Sequence, residues 1–151
     1  MTEKASSEKT ILIDGAPLPD VLTEEMIHDV VHGFYRAIRE DALLGPIFNS
    51  AIEPDRWPDH LAKMCDFWSS MLLRTSRYDG RPLPAHLRFP ALGEEHFRQW
   101  LKLFRATVTE ACPPEVAALF MSRAQRVAHS FRLAIAVSRG ESSIGIEPIV
   151  E

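Results

Sequence analysis

The chain has 151 residues, 46% of them hydrophobic and 25% charged, with a formal net charge of −4. That size favours one domain, burying roughly two-thirds of its unfolded surface without disulfide or metal staples. The acidic balance and the lack of a basic run exclude nucleic-acid binding, which needs clustered Lys and Arg. No apolar run approaches the ~18–20 residues of a membrane span, and Met1 to Ser7 form no apolar signal core. A cytoplasmic location is expected, with Cys65 and Cys112 as reduced thiols, since they lack CxxC spacing.

Residues 1–20 are polar or proline-bearing and read as an N-terminal arm, followed by one globular unit over 21–140 and a weakly ordered tail over 141–151. The first helix opens at Thr23 as N-cap, with Glu24 and Glu25 at its positive end. Leu22 and Ile27 are placed to staple across that cap. Ile27, Val30, Val31, Phe34 and Ile38 then share one helical face, with Tyr35 at its edge. Gly45-Pro46 breaks the chain, and Ile47-Phe48 puts a large aromatic in a short connecting turn.

A second helix runs from Trp57-Pro58 to about Arg74, and its inner stripe is His60, Met64, Phe67 and Met71, widened by Trp68 and Leu72. Asp79-Gly80 signals a turn. The next stretch, Arg81 to Pro90, holds three prolines around His86, leaving room for one or two helical turns that present one side chain between longer helices. A third helix spans about Glu94 to Ala111, with Phe97, Trp100, Leu101, Phe104 and Val108 inward. The last runs from about Glu115 to Ser138, with Gly140 as its stop. No convincing strand alternation, internal repeat or Gly-rich phosphate loop is present, so the class is all-α.

Three polar-tipped side chains, Tyr35, His60 and Trp100, lie on or beside inner faces of three different helices. A packed core rarely holds several such groups, because each buried donor costs ~1–3 kcal/mol if unpaired. Convergent donors suit an anion or a polarised ligand. With His86 facing inward as well, the pattern suggests a flat, apolar metal cofactor between the two histidines. A non-haem helical module, binding one metal ion or a partner protein, is the alternative reading. His28 and His32 have the i, i+4 spacing of a metal pair but lie roughly 90° to 130° off the apolar stripe, at 100° per residue, and read as a solvated face. His96 and His129 read as boundary or surface residues.

The runs Phe34-Tyr35, Leu44 to Phe48, His60 to Met64 and Asp66 to Leu73 belong to one wider pattern. It continues through Tyr78 to Leu83, Pro84 to Leu87, His96 to Phe104 and Arg123 to Ala128. Together they resemble the third group of truncated haemoglobins, small bacterial globins, over about residues 24–137. The paired-glycine motifs of the other truncated groups are absent, in keeping with the third.

The resemblance implies a two-over-two helical sandwich around haem b. It implies His86 as the proximal iron ligand, Tyr35, His60 and Trp100 as distal polar residues, Phe48 against the porphyrin and Met64 in the distal wall. Lys63, one turn from His60's neighbourhood, would reach a haem propionate. The expected ligands are O2, NO, CO or peroxide at a pentacoordinate iron with a polar distal pocket. Peroxidase-like or nitric oxide dioxygenase activity is a further expectation. The latter requires an external reductase, since this chain has no flavin or nicotinamide module.

Overall fold

The computed structural model describes residues 12–13, 16–17, 22–73, 75, 92–140 and 145–149. The His86 segment, and with it the expected proximal ligand, lies outside the described residues.

Helix α1 covers Glu24–Glu40. Thr23 caps it as its sequence dictates, with Oγ1 accepting the Met26 N–H at 3.2 Å. Ile27, Val30, Val31, Phe34 and Ile38 are all buried, as is Leu22 across the cap. Tyr35 is buried beside them.

The Gly45-Pro46 break turns out to start a helix as well as end one. Helix α2 spans Gly45–Ala51, with Pro46 in its first turn, where a missing N–H costs nothing. Gly45 is required by close approach. A Cβ there would stand 2.8 Å from the Arg39 carbonyl oxygen. Phe48 therefore lies on a short helix rather than in a turn.

A 3-10 turn, Pro54–Arg56, leads into α3, Trp57–Leu73. The expected inner stripe of α3 is rotated. His60, Met64, Phe67 and Met71 are only half-buried, whereas Trp57, Trp68, Ser69 and Leu72 are buried. The deep line packs on α1 through Trp57 and Ser69 and on the helices carrying Phe104 and Phe120 through Trp68. Ser69 is tolerated there because its hydroxyl donates to Glu24 Oε2 at 2.7 Å and lies 3.0 Å from Thr75 Oγ1.

Helices α4, Glu94–Ala111, and α5, Pro114–Ser138, fall within a residue of their sequence bounds. Cys112 and Pro113 separate them, and Gly140, with φ of 77°, takes the left-handed position after α5. Helix α1 packs on α3, α4 packs on α5, and α1 against α4 joins the two pairs. The result is a two-over-two helical sandwich.

Two features depart from the sequence reading. Within the N-terminal arm, strands β1, Leu12–Ile13, and β2, Ala16–Pro17, pair antiparallel. The tail is not detached from the body over 145–149. Ile149 is buried, and Arg132 Nη1 donates to the Glu147 carbonyl at 2.8 Å. An apolar Ile with a place to bury outweighs the polar composition of its neighbours.

Phe104 lies at the centre of the core. Its ring meets Phe34 of α1 at 4.9 Å, Trp68 of α3 at 5.2 Å, Trp100 of α4 at 5.8 Å and Phe120 of α5 at 6.0 Å. Phe104→Ala is expected to destabilise the protein by about 3–5 kcal/mol, the range for deleting a buried aromatic. Urea unfolding checks this, and a cost under ~1 kcal/mol would deny Phe104 its central role.

Candidate functional site

Two of the polar-tipped residues, Tyr35 and His60, meet where α1, α2 and α3 come together. Tyr35 lies edge-on to His60 with ring centroids 5.1 Å apart, 6.1 Å from Phe48 and 5.9 Å from Trp57. His60 is also edge-on to Trp57, at 5.4 Å. Its imidazole is thus held between two aromatic rings, which fixes its plane. The guanidinium of Arg39 sits 4.6 Å over the Trp57 ring, a cation–π contact that closes the outer side of this cluster. Burial pushes the Tyr35 phenol far above its ordinary value. Tyr35 therefore stays a neutral O–H donor at physiological pH.

Beside the cluster runs an apolar slot that is partly open to solvent. Ile47 and Phe48 of α2, Phe97 and Trp100 of α4, and Val127 and Phe131 of α5 wall it. Of these, Ile47, Phe48, Trp100, Val127 and Phe131 are half-buried. Apolar residues that face each other and yet stay half-buried leave surface for a ligand to cover. Trp100 connects slot and cluster through Phe34, whose ring lies 5.4 Å from Trp100 and 5.1 Å from Tyr35.

Two polar devices hold the slot's walls. Asp41, after α1, accepts the Leu43 and Leu44 N–H groups at 3.0 and 2.9 Å and the Gln99 side-chain amide at 2.6 Å. This ties the α1–α2 connection to α4 one residue before Trp100. At the start of α4, His96 Nδ1 accepts the Gly93 N–H at 2.9 Å. That bond leaves His96 Nε2 carrying the proton in the neutral ring. His96, read from the sequence as a boundary residue, also lines the slot.

The sequence and the fold have known relatives. Group 3 truncated hemoglobin ctb of Campylobacter jejuni is 37% identical over 115 residues, 75% of this chain and 91% of that protein. The crystal structure of group III truncated hemoglobin from Campylobacter jejuni superposes with a TM-score of 0.72 at 36% identity, covering 78% of this chain and 94% of that one. The chain belongs to the group III truncated haemoglobins. No protein-family model matches it.

In this truncated haemoglobin, Tyr35, Phe48 and His60 are brought together, while Trp100 joins them from across the slot. Met64 is half-buried one turn beyond His60 on α3. Lys63 is exposed and lines, with His60, Glu53, Arg56 and Asp59, a polar cleft outside the slot. Trp57 and Arg39 were not singled out by the sequence. Trp57 lies three residues before His60 on the same helix, a spacing that could have marked it. Arg39 left no comparable signal, because its contact spans two helices. His28 is exposed on α1, as expected, whereas His32 is half-buried and lines a second cleft with Tyr35, Arg39, Trp57 and Leu61. No helix among the described residues is long and apolar enough to cross a membrane.

Asp41 yields a test with a defined sign. Burial alone would raise its carboxyl, but hydrogen bonds from Leu44, Gln99 and Leu43, aided by Lys102, hold it below its ordinary value. A depressed carboxylate stabilises the fold above its unfolded pKa of ~3.9 and loses that contribution as pH falls through the folded value. Asp41→Ala is expected to cost about 1 kcal/mol at neutral pH, the usual worth of a cap. Urea unfolding at neutral pH and below about pH 4 should show the difference from the native protein shrinking in acid. A difference that stays constant would assign the effect to something other than the charged carboxylate.

Proposed function

We propose that the slot holds haem b and that the protein binds diatomic ligands beside Tyr35. The observation that carries this reading is the juxtaposition of an apolar, aromatic-walled slot with a buried, neutral Tyr35 in a member of the truncated haemoglobins. The residues present fit the group. A porphyrin is flat and apolar over its faces, and the half-buried surfaces of Phe48, Trp100, Val127 and Phe131 are what such a face would cover.

When bound, haem would supply an iron able to take O2, NO or CO, or to react with peroxide. His86 is proposed as its protein ligand, since neutral imidazole is a good iron donor. The Tyr35 O–H, His60 N–H and Trp100 N–H are proposed to donate to the negative end of a polarised ligand. Met64 would wall that side, Phe48 would pack against the macrocycle, and Lys63 would be the cation available to a propionate. The same donors would pull on the O–O bond of peroxide. Oxidation of nitric oxide would need electrons from a separate reductase.

The non-haem alternative would leave the half-buried aromatic walls of the slot without an occupant.

Absorption spectra of the purified protein, oxidised, reduced, and reduced with carbon monoxide, test the proposal. A strong Soret band with a large carbon monoxide shift is expected. No Soret band, even after haem is added, would refute it. His86→Ala is expected to empty or loosen the haem site, and normally ligated haem in that variant would remove His86 as ligand. Tyr35→Phe is expected to keep its haem and to release O2 about ten- to a hundred-fold faster, from the ~1.5–3 kcal/mol of one charge-assisted bond. Stopped-flow displacement of O2 by carbon monoxide measures this, and an unchanged rate would exclude a direct Tyr35 role.

A further inference from the structure

One wall residue of the slot does not fit its apolar chemistry. Among the described residues every other lining side chain is aliphatic or aromatic, and His96 is the one titratable group. It stands on the first turn of α4 and is half-buried. Glu94 and Glu95 before it are exposed and Phe97 after it is buried, which puts the imidazole where the slot opens to solvent. Its tautomer is set by the chain. The Gly93 N–H can only donate, so Nδ1, 2.9 Å away, accepts, and the neutral ring carries its proton on Nε2. Among the described residues that Nε2–H meets no acceptor. A ring in this state is not a metal ligand through Nε2, but it is a donor for an anion. The charge at this end of the slot favours one. Arg98 and Arg132 lie 2.7 and 3.4 Å from the Glu94 carboxylate, and Arg139 donates at 2.9 Å to the carbonyl of Leu92, another lining residue.

From this arrangement we infer that His96 anchors the haem, its Nε2–H donating to one propionate at the open end of the slot. The inference rests on the haem reading above and adds a binding residue to it. The faces of haem are apolar, but its two carboxylates do not follow them inward, because an ionised carboxylate is costly to bury unless it is paired. They belong where the slot opens, and there the slot's own wall supplies one donor. Lys63 lines a separate polar cleft and does not fill that place. The bond from Gly93 already holds the His96 ring, so little side-chain freedom is lost when the carboxylate arrives. A hydrogen bond to an ionised acceptor is also among the stronger kinds.

Two substitutions separate the ring nitrogens. Asn places its oxygen where Nδ1 stands, so His96→Asn keeps the acceptor for Gly93 and removes the outer donor. Gln places its amide nitrogen near Nε2, so His96→Gln keeps the donor and gives up the cap. Haem loss from the full-length protein is read by transfer to an excess of an apoglobin acceptor. It is measured with haem b and with its dimethyl ester, in which both carboxylates are uncharged. His96→Asn is expected to lose haem b about tenfold faster than the native protein, the effect of one hydrogen bond to a charged group. His96→Gln should stay near the native rate, and with the ester His96→Asn and the native protein should lose haem equally fast. Equal loss of haem b from His96→Asn and the native protein would overturn the assignment. So would an acceleration that persists with the ester, or a His96→Gln variant faster than His96→Asn, the order expected of a residue that only caps α4. A native protein that takes up neither haem fails at the haem reading itself, which separates the two outcomes.

Discussion

Phe104 is in ring contact with aromatic residues from all four long helices, its own included. Each pair adds about 0.5–1.5 kcal/mol beyond simple area burial, and only at particular angles. The stack therefore sets orientation as well as energy. Phe34 and Trp100 meet it nearly edge-on and nearly parallel, at 81° and 5°. Those two rings are the bridge between the core and the ligand side. Trp100 cannot turn without disturbing the ring on which α1, α3 and α5 converge. The wall of the slot is thus braced by the same contacts that hold the sandwich together.

The polar cluster follows from that bracing. Tyr35 is the residue after Phe34 on α1, and its burial is a consequence of where Phe34 docks. A phenol in that place stays protonated because burial opposes its anion. His60 gains its fixed plane from Tyr35 on one side and Trp57 on the other. Arg39 over Trp57 then covers the cluster with a charge that can stay solvated, since α1 leaves that side chain exposed. The thiols stand apart from this chemistry. Burial, and to a lesser degree Asp29, push Cys112 up to about 11, so it remains a thiol near neutrality.

Much of this was legible in the residues. The stripe of α1 and the bounds of α3, α4 and α5 follow from apolar periodicity, caps and prolines, all of them local signals. Tyr35, His60 and Trp100 drew notice as polar tips on or beside apolar faces; Tyr35 is buried, while His60 and Trp100 are half-buried. The family followed from a pattern spread over most of the chain. What was not legible depends on contacts between elements. The rotation of α3, which buries Trp57 and Ser69 in place of His60 and Met64, is set by packing on α1 and by the Glu24 carboxylate that satisfies Ser69. Periodicity gives a face only to within a residue's 100° step. Helix α2 was hidden because Gly45-Pro46 signals both an ending and a beginning. The role of His96 was hidden because a histidine that caps through Nδ1 has the same sequence as one in solvent. The burial of Ile149 depends on a return of the chain that nothing local announces.

The bond between Asp41 and Gln99 has a consequence for how this scaffold can change. It links the connection before Phe48's helix to the residue beside Trp100, so two facing walls of the slot share one strut. The strut holds their separation independently of which side chains line them. Substitutions at Ile47, Val127 or Phe131 would alter the chemistry of the slot while its width stays constant. Insertion or deletion of a residue between Asp41 and Gly45 would do the reverse, shifting the gauge of the slot even if every lining residue were kept. Variation in this molecule should therefore accumulate in the lining, and the length of that short connection should be its least negotiable dimension.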